Sequence, residues 1–246
     1  MLSIRKMFNS EARLIFKERG FKQKGNIYYR VVNDVVQHFD FVIYSTYNCD
    51  VNYSVTPLAA GLEYLPGGRL SLAKTTIETY GEWKYSTISD ESKKTCIEDI
   101  VKHIKLYLVP FFDGAVDCML ALEATIQAEK LQYKNYCSYV KNNFLIKPPI
   151  SPLNEINMCD HYKLWMALKC KDWSAVDSLY HYIIGHEVMA YVSVKSWMDS
   201  KGLDKRYKNI EELVHDAASL GLSHDTKEID MKIAENEKLS LKTLAG

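Results

Sequence analysis

Apolar residues at the start of the chain recur at helical spacing: Ile4, Phe8, Ala12, Ile15 and Phe16, with Arg13, Lys17 and Glu18 elsewhere on the wheel. Positions three and four apart share one helix face, so this pattern predicts an amphipathic first helix that Gly20 stops. Phe21 to Asn26 carries turn chemistry. Ile27-Tyr28-Tyr29-Arg30-Val31-Val32 is β-branched and aromatic and is bounded by Asn33-Asp34, the signature of a strand entering a hairpin. From Val35 to Tyr44, the set Val35, Gln37, Phe39, Phe41 and Ile43 alternates with Val36, His38, Asp40 and Val42, which predicts a strand with one apolar and one mixed face. A third strand is expected from about Val51 to Ala60.

Pro66-Gly67-Gly68 then breaks the pattern, and the stretch to Thr87 has no period of its own, leaving room for one further strand around Leu70 to Thr76. At Ser89 the texture changes again. Ser89 caps, Asp90 and Glu91 fill a first turn, and Ile97, Ile100, Val101, Ile104 and Leu108 form a stripe that should end near Pro110. Beyond Gly114 helices are expected at 114 to 130, 132 to 144, 160 to 171, 174 to 200 and 208 to 220. Residues 223 to 246 are polar and lack aromatics, so they read as a marginal helix or a frayed tail. The fold expected is α+β: a small N-terminal antiparallel sheet of three to four strands packed with helices, then an all-helical C-terminal half. Lys147 to Pro152 is the Pro-rich break, giving an α+β unit over 1–147 and a helical region over 148–246 packed on it.

With 246 residues, 47% hydrophobic and 25% charged, the chain can bury a core without staples. Its 31 basic residues balance 31 acidic ones, which removes the electrostatic case for a nucleic-acid or membrane-surface partner. No uncharged apolar run reaches about 18 residues, so no spanning helix is expected, and the first twenty residues lack the apolar core of a secretory signal. The six cysteines show no Cys-x-x-Cys pair and read as reduced, metal-free thiols of a cytoplasmic protein.

Motifs for chemistry fall short. His186-Glu187 begins a zinc-protease pattern, but Ala190 stands where the second imidazole is needed. Met158-Cys159-Asp160-His161, with Cys170 further on, lacks the second close pair of a structural zinc site. Neither a nucleophile elbow nor a glycine-rich phosphate cradle is present, and no cofactor is implied. Aromatic residues make up 12% of the chain, and Tyr and Trp combine an apolar body with a polar handle suited to recognition. Arg69, Tyr80, Glu82 and Trp83 are the candidate binding residues, because polar and aromatic side chains on an aperiodic segment cannot bury a continuous face.

Gly20-Phe21-Lys22-Gln23-Lys24-Gly25-Asn26-Ile27-Tyr28-Tyr29-Arg30, then Asp34 to Phe41, then Tyr53-Ser54-Val55-Thr56, resemble the bacterial family catalogued as domain of unknown function 4304. The resemblance covers roughly residues 5 to 130 and implies a first helix, a glycine turn and a strand ladder. It carries no activity and no catalytic residue. The functional expectation is a non-catalytic binding or protein-interaction module of the immunity type, with another protein as partner. The alternative is an enzyme with a non-motif site, such as a hydrolase using scattered Asp, Glu and His residues.

Overall fold

A computed structural model describes residues 3–45, 48–63, 65, 67–76, 89–144, 159–179 and 225–245. Helix α1 (Ile4–Lys17) starts at Ser3, whose hydroxyl accepts the Lys6 amide, and buries Ile4, Phe8, Ala12 and Phe16, one residue per turn. Strands β1 (Lys22–Lys24), β2 (Ile27–Val32), β3 (Val35–Ser45), β4 (Asn48–Pro57) and β5 (Leu70–Ser71) form one antiparallel sheet in chain order. That is α+β as expected, with one strand more than the upper count. The extra strand is β1, an exposed Lys-Gln-Lys edge that reads as turn in the sequence because lysines blunt sheet edges. Asn33, at φ 49, turns β2 into β3, as the Asn-Asp pair predicts. The third expected strand lies three residues earlier than predicted, since Leu58–Ala60 winds into a 3-10 turn. Of the strand expected at Leu70 to Thr76 only two residues pair; Leu72–Thr75 forms a short helix, α2.

The two faces of the sheet differ, as the β3 alternation predicts. Tyr28, Phe39, Phe41, Val51, Tyr53 and Val55 point to the face covered by α1, where Phe8 stacks on Phe41 at 4.3 Å and Phe16 meets Phe39 at 4.2 Å between ring centres. Fully burying each such ring contributes about 1.5–3 kcal/mol, so this aromatic layer is the main core. The other face carries Tyr29, Val36, His38, Ser54 and Thr56 and has a smaller apolar cluster with Leu58, Leu62 and Leu244.

Helix α3 (Asp90–His103) begins at the predicted Ser89 cap, which the structure extends to a capping box, with Ser89 and Ser92 each accepting the other's amide. It does not end near Pro110. A π-helical turn, Ile104–Leu108, leads straight into α4 (Val109–Gly114). Pro110 lacks an amide hydrogen and its ring collides with the carbonyl four residues back, and a widened turn relieves both demands without breaking the helix. A single helix α5 (Cys118–Phe144) replaces the two expected over 114–144. Helix α6 (Cys159–Cys170) matches its expectation, and residues 173–179 are helical after Lys171 turns the chain at φ 56. The remainder of the 174–200 helix, the helix at 208–220 and the Pro-rich boundary lie outside the described residues. Among the described residues, no strand follows Ser71 and no helix is long and apolar enough to cross a membrane.

Of the two readings of the last segment, the frayed tail is corrected: α7 (Thr226–Ala245) is a docked helix burying Ile229, Ile233, Asn236, Ser240 and Leu244. The Asn236 amide donates to the Ala59 carbonyl at 2.8 Å, the Ser240 hydroxyl donates to Leu58 at 2.7 Å and accepts the Leu62 amide at 2.7 Å. Two polar residues inside the buried stripe are what hid this helix from a periodicity argument.

Candidate functional site

Helix α2 is only four residues long, far too short to hold itself. Its neighbours hold both ends. At its start, the Asp50 carboxylate on β4 accepts the Ser71 hydroxyl at 2.5 Å and the Ala73 amide at 3.0 Å, and the Ser71 hydroxyl accepts the Lys74 amide. At its end, Asn135 of α5 donates to the Lys74 and Thr75 carbonyls at 3.2 and 2.8 Å, and Gln132 donates to the Thr75 hydroxyl at 3.0 Å. The same hydroxyl lies 2.8 Å from the phenol of Tyr53.

This clamp fixes Thr75 and Thr76 at the lip of a cleft of about 240 Å³, whose other walls are Lys102, His103, Leu106, Tyr107 and Leu131. The volume lies just under the usual range for small-molecule sites, enough for one side chain or a compact ligand. The π-helical turn shapes the opposite wall. An extra residue per turn shifts the stripe, so Leu106 and Tyr107 stand 55% and 38% exposed while Ile104 and Leu108 stay buried. The His103 and Tyr107 rings are 6.0 Å apart, and Lys102 is exposed with no carboxylate partner among the described residues. Hydroxyls, one ammonium, one imidazole, a phenol ring and two leucines line the cleft, and among the described residues no carboxylate does. Such a wall suits an acidic or hydrogen-bond-accepting group with an apolar stem.

Of the residues the sequence nominates, Arg69 is half-buried, on the strap that crosses β4, with its guanidinium carbon 5.8 Å from the centre of the Tyr162 ring. Tyr80, Glu82 and Trp83 lie outside the described residues; Thr76, the last described residue before them, lines the cleft. Lys102, His103 and Tyr107 escape sequence reasoning because a regular helix assigns them to its polar side. The signal that points to them is Pro110 inside an unbroken helical period, which demands an irregular turn just upstream.

Other reactive groups are buried and tied to the fold. Burial pushes the His38 imidazole down to about 3, aided by the nearby Arg69 charge, so the ring is neutral at any physiological pH. Burial pushes Asp50 up to about 6 against the pull of its three hydrogen bonds. Cys49 and Cys96 face each other with 3.5 Å between sulfurs, and that contact together with burial pushes the Cys49 thiol far up; burial does the same at Cys118. Thiols held protonated are poor nucleophiles and poor ligands. His186 and Glu187 lie outside the described residues, and no group of three or more potential metal ligands occurs among the described ones. Comparison with family models, with curated proteins and with solved structures finds no match for this chain.

Proposed function

We propose that the protein is a non-catalytic binding module and that the cleft between α2, the π-helical turn and α5 is its contact site for a partner protein. The observation that carries this reading is the lining itself: Lys102 and an exposed Tyr107 beside a small cavity offer charge and an aromatic anchor. The occupant that fits best is an acidic side chain with an apolar stem, presented by a folded partner. Kinship with the bacterial family resembled by residues 5 to 130, and with it a cytoplasmic setting, belongs to the same proposal; Gly20 and Gly25, at φ 77 and 60, do adopt turn dihedrals suited to that motif.

The test is capture from the protein's own cell extract, with mass spectrometry of what is retained. Lys102→Glu and Tyr107→Ala change exposed positions, so stability should move by less than about 1 kcal/mol. One partner retained by the native protein and lost by both variants supports the proposal. A partner held equally well by both variants, or substrate turnover abolished by His103→Gln, overturns it.

A further inference from the structure

The mixed face of the sheet holds a cation that no carboxylate among the described residues balances. Tyr29 pairs with His38, and His38 with Ser54. Arg69 stands just before β5, whose Leu70 pairs with Tyr53, and its charge is close enough to act on the His38 imidazole. Tyr29, His38 and Ser54 form one row across the sheet, with Arg69 at its outer end. Two bonds pin its outer end. The Arg69 amide donates to the Tyr53 carbonyl at 3.0 Å, and the Gly68 amide donates to Asp40 at 2.9 Å. Gly68 lies so close to β4 that a Cβ there would stand 2.2 Å from the Asn52 carbonyl carbon, so the strap cannot drift outward on a side chain.

Arg30 shows what a satisfied arginine looks like in this protein. It donates to Gln37 at 2.7 Å and to the Arg19 carbonyl at 2.8 Å, and lies 3.7 Å from the Asp113 carboxylate. Arg69 has none of this among the described residues: its guanidinium meets only the Tyr162 ring face, and Asp40, one row away, points an oxygen at Gly68. A guanidinium cannot shed its charge, so half-burying one without an anion is unfavourable. A second polar group in the row is also unsatisfied. The His38 ring is wholly buried, its Nε2 lies 2.8 Å from the Thr56 hydroxyl, and its Nδ1 has no partner. In the tautomer that accepts the Thr56 proton at Nε2, Nδ1 is a spare N–H donor.

We propose that this row is an oxyanion subsite, in which the Arg69 fork, beside the Tyr162 ring, takes a carboxylate or phosphate group through two parallel N–H···O bonds, near the neutral His38 ring. Planar, bidentate recognition of this kind is what arginine does and lysine does not. The subsite lies on the opposite face of the sheet from α1 and does not rest on the cleft reading. Its occupant is either a free anion or the acidic group of a larger molecule.

NMR titration of the full chain at constant ionic strength tests this, following the His38 ring protons with inorganic phosphate, with acetate, with a short glutamate-containing peptide, and with chloride as control. The expected result is saturable movement of the His38 signals by at least one oxyanion, absent with chloride, lost in Arg69→Gln and weakened about tenfold in Arg69→Lys. Tighter binding of the peptide than of acetate assigns the site to a macromolecular ligand; the reverse assigns it to a free anion. No saturable shift with any oxyanion, or the same shift in Arg69→Lys as in the native protein, overturns the proposal. The lysine variant keeps the charge and the stem, so it decides the matter even where Arg69→Gln fails to fold.

Discussion

Asn236 and Ala59 are 177 residues apart in the chain, yet the side-chain amide of one donates to the carbonyl of the other at 2.8 Å in the buried seam between α7 and the turn after β4. The bond satisfies a carbonyl that the Leu58–Ala60 turn leaves over. Asn236→Ala should therefore cost about 1–3 kcal/mol, more than a typical surface change, because a buried acceptor loses its donor. Urea unfolding of the variant checks this; a change within experimental error would show that water replaces the bond.

His38 and Asp50 should shape the pH dependence of stability in opposite directions. His38 has a folded-state value near 3 against an ordinary 6.5, so its contribution is present above pH 6.5 and is lost as the pH falls toward 3. Asp50 has a folded-state value near 6 against 3.8, so its contribution is present below pH 3.8 and is lost as the pH rises through 6. Between about pH 4 and 6 the two slopes offset each other, the Asp50 part being on the order of 3 kcal/mol. Asp50→Asn should make the protein lose stability more steeply on acidification than the native chain, and His38→Gln less steeply. Denaturant melts from pH 4 to 7 measure both; two variants that both keep the native profile would contradict the assignment.

Cys49, Cys96 and Cys118 are all buried, and the Cys49 and Cys118 thiols are held protonated, so a thiol reagent at pH 8 should leave all three unmodified in the folded protein and label them at the global unfolding rate. Elemental analysis should find no stoichiometric zinc. Rapid labelling of any of the three in native buffer, or a bound zinc, would refute this.

Pro110→Ala removes the reason for the widened turn at 104–108. The variant should gain helix stability, by roughly 1 kcal/mol, while the relaxed turn moves Leu106 and Tyr107 off the cleft wall. Partner capture should weaken while the melting temperature holds or rises. Unchanged capture would mean that the π-helical geometry is incidental to binding.

The first helix, the hairpin at Asn33-Asp34, the two-faced β3 and the capped start of α3 were legible because each is a local pattern of period or turn chemistry. What escaped depends on distant partners. α2 exists only because Asp50 and Asn135 clamp it, and no window around Leu72 to Thr75 contains either. Asn236 and Ser240 break the apolar stripe of α7, yet they satisfy the backbone of the 58–62 turn, a demand visible only once that turn is placed. The cleft was hidden by the same kind of cause, since a shifted helical turn changes which residues share a wall.

The docking of α7 also sets a clock on synthesis. The sheet strands are complete once residue 71 has emerged, but the seam at Leu58–Ala60 stays open until residues 229 to 244 have been made. At about 5–20 residues per second, the 177-residue gap between Ala59 and Asn236 corresponds to roughly 10–35 s during which the nascent chain carries an unfinished surface. Chains that stall before α7 should expose this unfinished seam to chaperones and proteases.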